Sequence, residues 1–367
     1  MSSIQLLLIV FYVGLIIFNY KGFIDNRKMA VITIVTALLS TFMLFSANSA
    51  DLDWSETELD MSGYRTIYEQ YDVLEYEDFK MYYLFYSCMH LGQSLGLDFR
   101  TWWALMSFLA MGVIIVSCRL HKYNYKLFLA AFMAYHEMVF YSGFKFFYGF
   151  CFMLLAYGFL FSSKRKGRIL FALITCIAGG FHMMYYFFLL LLIKPLKNPQ
   201  YMVRIIVGIT IIFTVWMRLS GSAMASLQPF FNALDNDHID KYTLVTVRSG
   251  FYLALLVHLV IVYVAYKIRQ HIIREGKNDA NVDTLYYTVL LSLLFCPFYA
   301  VALTFMRLIT AFSLIVVTAG STLLCDSYKS RQLCVRLSLL VVFSFYVIRI
   351  LMGGFMTTSV LPYFNVF

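Results

Sequence analysis

The chain has 367 residues, of which 61% are apolar and 13% charged, where a soluble domain carries about a quarter charged residues. A mean hydropathy of +0.75 excludes a soluble enzyme, with or without a single anchor. The formal charge of +9 decides nothing by its total, because basic residues also gather in cytoplasmic loops to orient a membrane protein.

In chain order, apolar runs fall at 4–20, 29–47, 101–118, 127–142, 145–162, 169–193, 203–219, 249–266, 284–303, 306–325 and 335–353. At roughly 20 residues per crossing, they predict an all-α, polytopic integral membrane protein of about 11–12 transmembrane or re-entrant helices. Residues 1–367 form one domain. The first run lacks a basic n-region and a small-residue cleavage site and reads as a retained helix. The seven cysteines show no CxxC pair and read as small core residues; no metal or cofactor is expected.

Two polar segments are long. Residues 48–100 combine an acidic loop with a Tyr-rich stretch at 81–97 that reads as an amphipathic or re-entrant helix, and residues 220–248 form a second loop. Ten of the 20 acids lie between Asp51 and Asp78. Placing both segments outside puts both termini outside. Twenty of the 29 lysines and arginines then fall in short cytoplasmic connections, as the positive-inside rule requires. The run 169–193 has basic clusters at both ends, so it must turn back. A break at Gly179-Gly180 makes it two short antiparallel helices meeting near His182. Non-helical backbone at that depth is tolerated only in protein or beside a wet cavity, so the break points to a cavity.

Six of the nine remaining basic residues, Arg100, Lys145, Arg218, Arg248, Arg307 and Arg349, sit near the outer ends of six helices. Snorkelling or pairing with the acidic loops accounts for any one of them. Six together suggest a site for a lipid-linked phosphate or pyrophosphate. Glu137 is the one carboxylate well inside an apolar run; it reads first as an ion-pair partner of Lys145 and second as a proton-handling acid. His182 is either a hydrogen-bonded plug for backbone freed at the break or a general base. His121 and His271 read as solvated, and His258 as a helix-face polar residue. No zinc-hydrolase, acyl-serine, P-loop or dinucleotide motif occurs in a suitable context, and nothing supports nucleic-acid binding.

The order of features resembles the EpsG family of Wzy-like polymerases of bacterial exopolysaccharide and capsule. Asp60, Tyr64 and Tyr68 match its Asp-x3-Tyr-x3-Tyr element, and Glu77-Asp78-Phe79 stands where Glu-Pro-x-aromatic is usual. Phe144-Lys145-Phe146 replaces Ile-Arg-Gln, while Phe181-His182 matches the family's Phe-His pair. Met306-Arg307-Leu308 with Phe312 is similar to an Arg-x-x-x-Tyr-Phe helix start, and Leu361-Pro362-Tyr363 to a Pro-Tyr ending.

The resemblance implies a GT-C-like helical bundle in the bacterial plasma membrane. Its activity would be joining oligosaccharide repeat units carried on undecaprenyl pyrophosphate at the outer face. A flippase of the same glycan and a ligase-type glycosyltransferase are the rivals. On this reading Arg307, Lys145, Arg248, Arg349, Arg218 and Arg100 hold the pyrophosphate, His182 or Asp60 deprotonates the acceptor, and Tyr64, Tyr68, Trp54 and Glu77 contact sugar. The expected partners are the lipid-linked oligosaccharide, membrane lipids, and a chain-length regulator and flippase of the same pathway.

Overall fold

The computed structural model describes residues 60–76, 79–124, 143–161, 165–193, 199–219, 250–276, 280–300, 306–324 and 328–351, and isolated helical positions in 14–35. Among them every regular element is helical: α1 (Asp60–Gln70), α2 (Tyr83–Ser94), α3 (Phe99–Leu120), α4 (Phe144–Leu160), α5 (Arg165–Phe181), a 3-10 segment (Met183–Leu192), α6 (Pro199–Leu219), α7 (Gly250–Arg274), α8 (Ala280–Ser292), a second 3-10 segment (Leu293–Ala300), α9 (Met306–Leu323) and α10 (Tyr328–Leu351). The runs at 29–47 and 127–142, and Glu137, lie largely or wholly outside the described residues. Three stretches, Phe99–Leu120, Phe251–Arg274 and Ala280–Tyr299, are long and apolar enough to cross a membrane, with shorter apolar helices beside them. The protein is a membrane protein.

Among the described residues from Asp60 to α3 there are two helices, α1 and α2. At the end of α2, Gly96 has φ +69°, and the Leu97 and Gly96 N–H groups bond back to the Gly92 and Gln93 carbonyls. This Schellman turn uses the left-handed conformation that glycine adopts without penalty. Two residues later the Asp98 carboxylate accepts the Thr101 N–H at 2.7 Å and caps α3. The chain thus passes from α2 to α3 in one tight corner. Trp102 Nε1 donates to the Cys88 carbonyl at 2.8 Å, and Tyr68 Oη to the Leu97 carbonyl at 2.9 Å, fastening α1, α2 and α3 together.

Helix α4 is buried on nearly every side and forms the centre of the first half. Helix α5 and the 3-10 segment after it pack against α4, where a Cβ on Gly149 would lie 2.5 Å from the Tyr185 ring. The expected hairpin is present, but its break is not at Gly179-Gly180. Helix α5 runs straight through both glycines, and the chain turns at His182 (φ −151°, ψ 115°). The 3-10 segment then returns until Arg168, near the start of α5, donates to the carbonyl of Leu192. Its ten residues rise about 20 Å, close to the 25 Å or so of α5.

The opposite end of the bundle is joined by polar contacts. Asn124 N–H donates to Thr322 Oγ1 at 3.0 Å, Tyr287 Oη to the Ile193 carbonyl at 3.4 Å, and Arg269 Nε to Asp283 at 2.8 Å. Two histidines expected to be solvated are partly buried and hydrogen-bonded. His121 is half-buried, its Nε2 2.8 Å from the Leu155 carbonyl and its ring lying where a Cβ on Gly158 would be. His271 Nε2 lies 2.9 Å from Ser330 Oγ and 3.1 Å from Glu275. Of the cysteines read as core residues, Cys118, Cys151, Cys296 and Cys334 are buried, whereas Cys176 is exposed.

Candidate functional site

At the end of the bundle where α4 begins and α5 finishes, three pieces of chain converge. Lys145 is the second residue of α4. Its ammonium lies 4.0 Å from the Tyr82 ring centroid, 5.3 Å from both Tyr64 and Tyr86, and 6.0 Å from Phe85. It also donates to Tyr86 Oη at 3.3 Å. Ring quadrupoles attract a cation, so the surrounding tyrosine and phenylalanine rings hold the ammonium in place. The partial positive charge of the α4 N-terminus adds to it, giving the corner an electropositive character suited to an anion.

His182 also packs on Tyr82, with ring centroids 5.4 Å apart. Phe146, the neighbour of Lys145, meets the imidazole edge-on at 5.2 Å. The histidine is 8% exposed. Its Nδ1 accepts the Met184 N–H at 3.4 Å, capping the 3-10 segment. With the Nδ1 lone pair engaged in that way, a neutral ring carries its proton on Nε2.

The structure therefore brings Lys145, His182 and Tyr64 of the sequence-derived set into one cluster, with Tyr64 stacked on Phe144 at 5.6 Å. Tyr68 does not join it. Its ring packs on Phe99 and Trp102 in the core, and burial, helped by Asp98, pushes its hydroxyl up to about 12. Arg100 is half-buried in the first turn of α3. Asp60 opens α1 one turn before Tyr64, Arg307 opens α9, and Arg218 and Arg349 lie in the last turns of α6 and α10; their side chains are outside the described residues. Trp54, Glu77 and Arg248 are outside them too.

Tyr82 and Tyr86 were not singled out from the sequence. The i,i+4 spacing of Tyr82 and Tyr86 at the start of α2 places both rings beside Lys145, and that spacing is the signal that could have found them.

Compared with known proteins, residues 36–365 match the model of the EpsG family. No curated protein and no solved structure matches.

Proposed function

The chain belongs to the EpsG family, a Wzy-like polymerase family, and from that premise we propose that it joins oligosaccharide repeat units carried on undecaprenyl pyrophosphate at the outer face of the bacterial plasma membrane. The observation that carries the proposal is that Lys145 and His182 both pack on the Tyr82 ring, at the turn of the hairpin made by α5 and the 3-10 segment. The basic side chains described at the opposite end, among them Arg119, Lys122, Arg165, Arg168 and Arg274, favour that end as cytoplasmic, which leaves the site outside. A GT-C-like architecture with α2 on the outer face is part of this reading.

In the reaction an acceptor hydroxyl attacks the anomeric carbon of the donor sugar, the bond to the pyrophosphate oxygen breaks, and lipid pyrophosphate leaves with the bonding electron pair and one more negative charge than it carried in the donor. Lys145 lies in an electropositive corner and takes the leaving phosphate as a point charge rather than with the fork of an arginine. Arg307, Arg248, Arg349, Arg218 and Arg100 complete the anion site. His182, with Nε2 protonated, donates a hydrogen bond to the leaving group or to a donor-sugar oxygen. The acceptor proton then goes to Asp60, the other candidate base. Tyr64, Trp54 and Glu77 serve the sugars.

The test is elongation of purified lipid-linked repeat unit by reconstituted protein. Lys145→Met and His182→Ala each lower kcat by about 100-fold or more, the scale of losing one preorganised electrostatic contact. Wild-type rates in both variants would remove the site from this end of the bundle.

A further inference from the structure

Helix α1 runs into a turn whose backbone is fixed by its own sequence. The Tyr71 N–H reaches back to the Ile67 carbonyl at 3.3 Å, and the Glu75 N–H to the Asp72 carbonyl at 3.1 Å. The Asp72 carboxylate accepts the Leu74 N–H at 3.0 Å, closing a short acidic side chain on its own backbone. Val73 is fully buried and anchors the turn to the core. Its neighbours are left facing outward: Tyr71 is 52% exposed, Asp72 and Glu75 are exposed, and Tyr76 is half-buried.

The two tyrosines adjoin the Lys145 corner. Their ring centroids lie 6.0 Å apart at 68°, and the Tyr76 ring packs on Tyr86 at 5.5 Å. Tyr86 Oη in turn accepts a hydrogen bond from the Lys145 ammonium. One buried side chain therefore separates the exposed pair of rings from the candidate site.

Charge narrows what can cover these rings. Glu69, Asp72, Glu75 and Lys80 are exposed around them, and charged groups are costly against hydrocarbon, so the turn stands in water and lipid tails do not cover it. Glu69 is paired with Arg65 at 2.9 Å, whereas Asp72 and Glu75 make no ion pair among the described residues, so a phosphate is repelled. A hydroxyl-rich ligand fits both features. The C–H faces of a sugar ring lie against the electron-rich tyrosine faces, and its hydroxyls donate to carboxylate oxygens, which only accept.

We propose that the Tyr71–Tyr76 turn is a holding subsite for the glycan already made, which keeps the growing chain on the protein between additions and makes elongation processive. The inference rests on the polymerase reading and adds to it a site outside the transfer centre and a mode of chain growth. A glycan whose lipid-linked end sits at the Lys145 corner leaves it over Tyr76 and then Tyr71. Sugars held there keep that end at high local concentration beside the transfer site, so the next joining precedes release.

The test reads chain growth and glycan binding separately. Vesicle-reconstituted protein is started on radiolabelled lipid-linked repeat unit and chased with excess unlabelled unit; in the wild type the label moves into long chains. Tyr71→Ala, and Asp72→Asn combined with Glu75→Gln, each lower the rate of later additions relative to the first by about tenfold, the scale of one lost ring contact. In the second arm, the oligosaccharide released from the repeat unit by mild acid is titrated onto each protein and followed by saturation-transfer NMR. Tyr71→Ala raises its Kd by about tenfold, and Tyr71→Phe, which keeps the ring, does not. Label confined to short chains in the wild type, an unchanged ratio of later to first additions, or an unchanged Kd in Tyr71→Ala would overturn the inference. Tyr71-dependent glycan binding without any elongation would leave the subsite standing and remove the polymerase reading; elongation without such binding would do the reverse.

Discussion

Lys145 shows how much one residue's setting matters. A lysine cannot grip a phosphate with two parallel bonds, but it responds to neighbours that stabilise its charge, and here those neighbours are aromatic. Tyr82 touches both Lys145 and His182, so its ring rather than its hydroxyl should matter. We expect Tyr82→Phe to keep most of the elongation rate and Tyr82→Ala to lose about tenfold, the worth of a partly desolvated cation–π contact of about 1–2 kcal/mol. Steady-state kinetics on the two variants checks this; equal losses would assign the effect to the hydroxyl.

His121, at the other end, gives a pH prediction. Burial lowers its pKa more than the bond to the Leu155 carbonyl raises it, so the folded protein favours the neutral ring. Below about pH 6.5 the unfolded chain takes up a proton that the folded protein resists, and stability falls as the pH drops further. Thermal unfolding in detergent should show that decline, and His121→Gln should flatten it. Lys145 and His182 were legible in the sequence because a cation and a histidine stand out in apolar runs. Tyr82 carried only its i,i+4 spacing to Tyr86, a weak mark in a tyrosine-rich stretch until the fold sets its ring against both.

At the scale of elements, the hairpin and its meeting point near His182 were readable, but the glycines were not the break. Two basic clusters flanking one apolar run demand a reversal, whatever the local backbone does. Gly179 and Gly180 suggested the place, but glycine permits a break without forcing one. Here both serve close packing: a Cβ on Gly179 would lie 2.4 Å from the Tyr186 ring, and one on Gly180 2.7 Å from Leu84. The turn falls instead at His182, whose side chain can cap the next segment. Pro297 was equally visible in the sequence, yet the second 3-10 segment around it depends on a partner 39 residues upstream that the chain order does not pair with it: His258 clasps both ends, its ring nitrogens 2.6 Å from Ser292 Oγ and 2.8 Å from Tyr299 Oη. Replacing that partner, His258→Phe, leaves Ser292 and Tyr299 without their ring nitrogens in a dry interior. We expect a loss of about 2–4 kcal/mol, read as a lower unfolding midpoint in detergent, whereas a neutral result would mean that the clasp does not hold the segment.

For the whole molecule, composition alone established a helical membrane protein, and the alternation of helices follows from charge placement. Most of the arginines assigned to the pyrophosphate sit at helix ends whose side chains fall outside the described residues, so the full anion site rests on sequence position and family membership. The account's central claim is that one end of this bundle extends a glycan on a lipid pyrophosphate. It is tested most directly by incubating the purified protein in vesicles with a single lipid-linked repeat unit and resolving the products by mass. We predict a ladder of whole multiples of the repeat with one undecaprenyl pyrophosphate released per step; substrate moved across the bilayer at unchanged length, or joined once to a different acceptor, would contradict it.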